Sequence, residues 1–241
     1  MVFDFLPPFS FPCYNEMNIW RENEVNGLFI TLEGPEGAGK TTQIRYLEHY
    51  LQDKNISYIS LRDPGGTRIG QQVRELLLHP DLTEMGTITE LLLYSASRAQ
   101  LVTEKIRPAL ESGKVVICDR YIDSTMVYQG FAGSIPANIV ESINQVAIQY
   151  ILPIRTYVLD LPWEIGEQRI QERGSAKDRI EQKSREYHQR VREGYQQLAE
   201  SQQDRIRLLD GTLPKADLFS VIRSDLEHLI RKHPFNGEMD G

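Results

Sequence analysis

Gly34-Pro35-Glu36-Gly37-Ala38-Gly39-Lys40-Thr41-Thr42 carries glycine, four residues, then Gly-Lys-Thr. Residues of these types at this spacing do phosphate chemistry. Glycines let the backbone wrap an anion and turn successive N–H groups inward. A helix opening at the end of the loop aims its positive end at the same charge. The Lys40 ammonium reaches for β- and γ-phosphates, and the Thr41 hydroxyl is placed to hold Mg²⁺. The flanks agree. Leu28–Leu32 is a short apolar, β-rich run, and Ile44, Leu47 and Leu51 recur at helical spacing between Thr41 and Lys54. The expectation is a nucleoside triphosphate site between a strand and a helix.

Further candidates stand at the ends of other apolar runs. Val115–Asp119 ends in a carboxylate, where a P-loop enzyme needs an acid for its Mg²⁺ shell. Thr156–Asp160 ends the same way, so Asp160 competes with Asp119 for that role. Arg120 directly follows Asp119 and suits charge neutralisation between phosphates. Asp63-Pro64-Gly65-Gly66-Thr67 makes a fixed turn that a ligand can approach closely. Tyr94 and Arg98 share one helix face and suit a base, although spacing alone favours a core tyrosine beside an exposed arginine. The Gln129 amide offers both a donor and an acceptor. Arg169, Arg173, Lys177, Arg179 and Lys183 gather around Gly174, as in a lid that brings cations over a transferring group and excludes water.

The elements that must position these residues follow from periodicity. Apolar β-like runs cover Leu28–Leu32, Ser57–Leu61, Val115–Asp119, Thr156–Asp160 and Arg205–Leu209. Helical spacing covers Ile69–Leu78, Thr87–Leu110, Ile135–Tyr150, Trp163–Arg173, Lys183–Gln203 and Lys215–Lys232. Alternation of this kind predicts an α/β fold with a parallel sheet covered on both faces, and a ligand beyond the carboxyl ends of its strands.

Bulk properties narrow the partners. The chain has 241 residues, 40% hydrophobic and 25% charged, enough for one sizeable domain. A net charge of −7 without a long basic run argues against DNA or RNA as the main ligand. No apolar run approaches the ~20 residues of a membrane span. Cys13 and Cys118 have no metal-ligand spacing and suit a reducing, cytoplasmic setting. The five histidines form no close metal-like pair. Residues 1–26 read as a disordered extension, with Met17 a candidate start. Residues 27–232 read as the domain, with a lid over about 173–183, and residues 233–241 as a frayed tail.

Glu33-Gly34-Pro35-Glu36-Gly37-Ala38-Gly39-Lys40-Thr41-Thr42, Asp63-Pro64-Gly65-Gly66-Thr67, Tyr94-Ser95-Ala96-Ser97-Arg98, Asp119-Arg120-Tyr121-Ile122-Asp123-Ser124, Tyr128-Gln129-Gly130 and Asp178-Arg179-Ile180-Glu181 occur in that order. The ordered set resembles the thymidylate (dTMP) kinases of bacterial type, over roughly Gly27 to Lys232. The resemblance implies a P-loop nucleoside monophosphate kinase with a five-stranded parallel sheet flanked by helices. It implies phosphorylation of dTMP to dTDP by ATP and Mg²⁺, in dTTP synthesis, by a homodimer.

The same resemblance implies roles. Gly34 to Thr42 bind ATP, and Thr41 and Asp119 serve the metal. Glu36 contacts the sugar 3′-hydroxyl, and Arg74 and Arg120 hold the acceptor phosphate. Tyr94 stands where phenylalanine usually stacks on thymine, and Arg98 and Gln129 read the base edge with Thr125 nearby. Tyr128 crowds the place of a ribose 2′-hydroxyl. Lys40 and Arg120 are expected to be catalytic, with a lid arginine, either Arg173 or Arg179. Asp63 stands in the dTMP site where glutamate is common, and the lid is one residue longer than usual. The implied cis peptide before Pro64 belongs to the same pattern.

Two other functions fit parts of the chain. Another nucleoside or nucleotide kinase shares the loop. A P-loop switch that regulates a partner shares it too, but wants an Asn-Lys-x-Asp motif and an Asp-x-x-Gly loop, and this sequence has no such pair.

Overall fold

A computed structural model describes residues 26–174 and 176–232. The extension expected over 1–26, apart from Asn26, and the tail over 233–241 lie outside the described residues.

Five strands form one parallel sheet: β1 (Leu28–Glu33), β2 (Tyr58–Arg62), β3 (Val115–Asp119), β4 (Arg155–Asp160) and β5 (Ile206–Asp210). Their order is β2-β3-β1-β4-β5. β1 and β3 are wholly buried because helices cover both faces, and so read as continuous apolar runs rather than alternating ones. The edge strands β2 and β5 are only part-buried, which explains the interruption of β5 by Arg207.

On one face, α1 (Lys40–Asp53) and α9 (Lys215–Lys232) pack Leu47, Leu51, Ile222 and Leu226 against Ile30, Leu32 and Ile117. On the other lie α3 (Thr87–Leu101) and α4 (Arg107–Glu111), joined by a π-helical turn over Val102–Ile106. α5 (Ile122–Thr125) runs likewise into a π turn over Met126–Phe131. α2 (Arg68–Leu78), α6 (Ala137–Ile148), α7 (Trp163–Arg173) and α8 (Arg185–Ser201) complete the shell. β1 lies at the middle of the sheet, with β3 and β4 on either side, so the loop after β1 opens where the crossovers diverge. That is the switch point where α/β sheets take ligands.

Candidate active site

The loop after β1 closes on glycine geometry. Gly34 has φ +130°, and a Cβ there would meet the Leu159 carbonyl oxygen at 2.5 Å. Gly39 has φ +95° and caps α1. Lys40 Nζ donates to the carbonyls of Gly34 and Pro35, each at 2.9 Å. Burial, reinforced by Arg120, pulls the Lys40 ammonium down to about 8. Thr41 is exposed beside it on the same cleft.

Asp119 faces this loop from the end of β3. Its Oδ2 accepts from Arg62 Nε at 3.3 Å and NH2 at 3.1 Å. Its Oδ1 is buried without a hydrogen-bond partner among the described residues. An orphaned carboxylate oxygen sharing a cleft with the Thr41 hydroxyl is a donor set of hard oxygens that fits Mg²⁺. Asp160, the competing acid, is instead clamped by Arg192 at 2.7 and 2.8 Å and does not line the cleft.

Arg120 sits at the turn after β3 with φ +70°. Its NH2 donates to Glu36 Oε1 at 2.8 Å, and its NH1 donates to the Gly34 carbonyl at 3.0 Å. The guanidinium lies 5.0 Å from the Tyr128 ring centroid. The Tyr128 hydroxyl donates to both Glu36 oxygens at 2.8 Å. Burial acts to raise Glu36, but Arg120, Lys40 and His188 outweigh it and hold the carboxyl below its ordinary value. Glu36 is therefore an anion held by an arginine and a phenol.

The segment after β2 is built differently. The Asp63–Pro64 peptide is cis. Asp63 Oδ2 accepts from Arg98 Nε at 2.6 Å. Arg98 is 1% exposed and also donates to Asn144 Oδ1 at 2.7 Å, Thr125 Oγ1 at 2.7 Å and the Tyr121 carbonyl at 3.1 Å. Spacing alone favours the opposite arrangement, an exposed arginine beside a core tyrosine. Arg98 is buried because four acceptors from three distant segments meet there, while Tyr94 is half-buried on the cleft. Burial raises Asp63 above its usual range in spite of Arg98. Arg74 NH1 donates to the Pro64 carbonyl at 3.1 Å, and burial, then Arg62, lowers its pKa. Gln129 Nε2 donates to Glu90 Oε1 at 2.7 Å.

The two arginines offered for the lid part company. Arg173 ends α7 beside Gly174 at φ +71°, lines the cleft and donates to both oxygens of Glu181 at 3.0 and 2.9 Å. Arg179 lies elsewhere. It is 5% exposed, donates from Nε to the Leu77 carbonyl at 2.8 Å, and pairs with Glu90 at 2.6 Å. Its guanidinium ties the segment to α2 and α3 and does not line the cleft. Arg169 touches the phosphate loop from α7, donating to the Gly37 carbonyl at 3.0 Å.

One cleft thus gathers Glu36, Lys40, Thr41, Asp119 and Arg120 with Asp63, Arg74, Tyr94 and Arg98, and with Thr125, Tyr128, Gln129 and Arg173. Gly34, Pro35, Ala38 and Gly39 form the loop beside it, and Thr42 follows in the first turn of α1. Several residues in or directly behind the cleft have no role assigned from sequence. Arg62 directly precedes the turn at Asp63 and is register partner to Asp119, so its place before a glycine-rich turn is its only signal. Glu33, Glu90 and His188 are charged or polar groups on otherwise buried faces. His188 stacks on Trp163 at 4.3 Å, with Nδ1 3.7 Å from Glu36 Oε2.

Comparison with known proteins agrees with this geometry. The profile of the family described as thymidylate kinase matches residues 32–222. A thymidylate kinase of Symbiobacterium thermophilum is 46% identical over 203 residues, 84% of this chain and 94% of its own. One of Exiguobacterium sibiricum is 45% identical over 208 residues, covering 86% of this chain and 98% of the relative. The crystal structure of thymidylate kinase from Ehrlichia chaffeensis superposes with a TM-score of 0.66 at 29% identity, covering 83% of this chain and 98% of that one.

Proposed function

The chain belongs to the thymidylate kinase family, and we propose how its cleft carries out the phosphorylation of dTMP to dTDP in dTTP synthesis that goes with that membership. ATP is the donor. The observation that carries the reading is the single cleft running from the Lys40 loop to the Asp63–Arg98 segment, with the cations Arg74, Arg120 and Arg173 on its walls.

Lys40 leaves the Gly34 and Pro35 carbonyls for the β- and γ-phosphates. Arg74 and Arg120 hold the acceptor phosphate, and Glu36 takes the sugar 3′-hydroxyl. Tyr94 stacks on thymine, while Arg98, Thr125 and Gln129 hold its edge. Arg98 does this as a rigid group, because four of its N–H bonds are already taken inside the protein. Tyr128, fixed by Glu36, stands against a ribose 2′-hydroxyl.

An acceptor phosphate oxygen attacks the γ-phosphorus in line, the bond to the ADP oxygen breaks, and no enzyme-bound intermediate forms. The acceptor is already largely ionised near neutral pH, so no general base is needed. Mg²⁺, held through Thr41 and the free oxygen of Asp119, would supply charge neutralisation across the β- and γ-phosphates. Arg173 supplies the lid cation. Replacing Arg74 by alanine is expected to raise KM for dTMP at least about tenfold, with KM for ATP unchanged, as loss of one charged hydrogen bond implies. Equal effects on both substrates, or none, would contradict the assignment.

We further propose a homodimer in the cytoplasm. The neighbouring helices α2, α3 and α6 leave Ile69, Leu76, Leu92 and Val146 exposed, Val146 at 79%. Apolar surface of this kind suits a second copy. Among the described residues no helix is long and apolar enough to cross a membrane. A Val146→Glu variant that sediments like the wild type would contradict this interface.

A further inference from the structure

Glu33 ends β1, is wholly buried, and is not among the groups that meet substrate in the reading above. It nonetheless sits at the centre of the contacts around Arg120. Its Oε1 accepts the backbone N–H of Tyr121 at 2.7 Å and of Ser124 at 3.2 Å. Those bonds satisfy the amides of the turn that holds Arg120 at positive φ. Its Oε2 accepts the Ser124 hydroxyl at 2.6 Å and the Tyr195 hydroxyl at 2.8 Å.

The same two hydroxyl oxygens accept from Arg120 NH1, each at 3.2 Å. A hydroxyl has one proton and two lone pairs. The two hydroxyl oxygens also lie 3.0 Å from each other; when both turn their protons to the carboxylate, their lone pairs are left for the guanidinium. We propose that Glu33 is a positioning residue for Arg120: its carboxylate sets the direction of the Ser124 and Tyr195 hydroxyls, and these aim the guanidinium at the acceptor phosphate. The proposal rests on the acceptor-phosphate role of Arg120 given above.

The consequence is a dependence on the ionisation of Glu33. A protonated Glu33 would donate to one of the hydroxyls and turn its proton toward the cation. Burial, then Asp123 of α5, raises the Glu33 carboxyl to about 7, against Arg120 and the Ser124 and Tyr195 hydrogen bonds. Lys40 of α1, Arg205 beside β5 and Cys118 of β3 are the other titratable groups that sense its charge. The ionised fraction then falls as pH drops from 8.5 to 6.

The test is Glu33→Gln with Arg120→Ala as control, each checked for folding by thermal unfolding, with KM for dTMP and for ATP measured from pH 6 to 8.5. A glutamine fails in either orientation. Its nitrogen donates to the hydroxyls or faces the two backbone N–H groups. We expect KM for dTMP to rise at least tenfold at pH 8.5, with KM for ATP unchanged. The excess over wild type should shrink toward pH 6. Taking the ratio of variant to wild type cancels the ionisation of the substrate phosphate. Tyr195→Phe, which removes one oxygen only, should shift KM for dTMP in the same direction by less.

A folded Glu33→Gln variant with unchanged KM for dTMP, or a ratio flat across pH, overturns the proposal. If Glu33→Gln does not fold, an unchanged KM in Tyr195→Phe overturns it. An unchanged KM in Arg120→Ala overturns the phosphate role of Arg120 and this proposal together. A raised KM in Arg120→Ala beside an unchanged one in Glu33→Gln overturns this proposal alone.

Discussion

Arg173 and Glu181 face each other across the turn between α7 and α8, joined by two hydrogen bonds of 3.0 and 2.9 Å. The arginine side chain is 47% exposed and its partner 7%. This places a cation at the edge of the cleft, where the proposed lid role needs one. Solvent on the arginine side screens the pair and weakens its hold on the guanidinium.

Arg173→Ala is therefore expected to lower kcat about a hundredfold or more while changing KM for dTMP little, because the contact forms in the transition state. Arg179→Ala should do something else. It leaves Glu90 buried without its charge partner, with only the Gln129 amide donating to it, and should cost about 3 kcal/mol of stability. Steady-state kinetics and urea unfolding of the two variants separate the roles. If Arg179→Ala keeps full stability and loses kcat, the assignment is reversed.

Lys40 gives a proton signature. Its pKa stands near 8 in the free protein. Triphosphate oxygens around the ammonium favour the charged form and raise it. Binding of ATP at pH 8.5 should then take up a substantial fraction of a proton, and the uptake should vanish in Lys40→Met. Calorimetry in buffers of different ionisation enthalpy measures this. Binding with no net proton exchange at pH 8.5 would contradict a lowered Lys40 pKa that rises on contact with the phosphates.

Asp119→Asn replaces the oxygen pair that suits a hard cation while leaving an acceptor for Arg62. Activity of this variant should need roughly tenfold more Mg²⁺, as a lost metal-binding carboxylate implies. An unaltered Mg²⁺ titration would remove Asp119 from the metal site.

Glu33 also leaves a mark on stability. Its carboxyl is raised in the fold from 4.5 to about 7. Between those values the folded chain binds more protons than the unfolded chain, so this group lowers stability as pH rises through the window. The effect amounts to about 3 kcal/mol at most. Stability of Glu33→Gln relative to wild type should therefore increase from pH 4.5 to pH 7.5. A constant difference across that range would show that Glu33 titrates normally.

Much of this architecture is legible in the sequence, for reasons that particular residues show. Val115–Asp119 and Trp163–Arg173 carry the same bounds in both, because a buried parallel strand is an unbroken apolar run and α7 is bracketed by Pro162 and Gly174. The helical segment from Ile122 to Phe131 is not legible as a helix. It passes into π winding at Met126, so its apolar residues keep no 3.6-residue period. The run read as one helix over 87–110 likewise contains a π turn before Pro108, which has no N–H to continue an α ladder. The phosphate loop is legible because all its chemistry is local. The fates of Arg98 and Arg179 are not, since each is decided by partners dozens of residues away: Asp63 and Asn144 for one, Leu77 and Glu90 for the other.

What the cleft phosphorylates can be assayed directly. The purified chain should be supplied with ATP, Mg²⁺ and, in parallel, dTMP, dUMP, UMP, CMP, AMP and GMP, with ADP release coupled to a spectroscopic readout. The highest kcat/KM is expected for dTMP, with loss of turnover on chelation of Mg²⁺ and a UMP signal far below that for dTMP, as the proposed place of Tyr128 against a 2′-hydroxyl requires. A higher kcat/KM for dUMP, UMP, CMP, AMP or GMP than for dTMP would contradict the dTMP assignment.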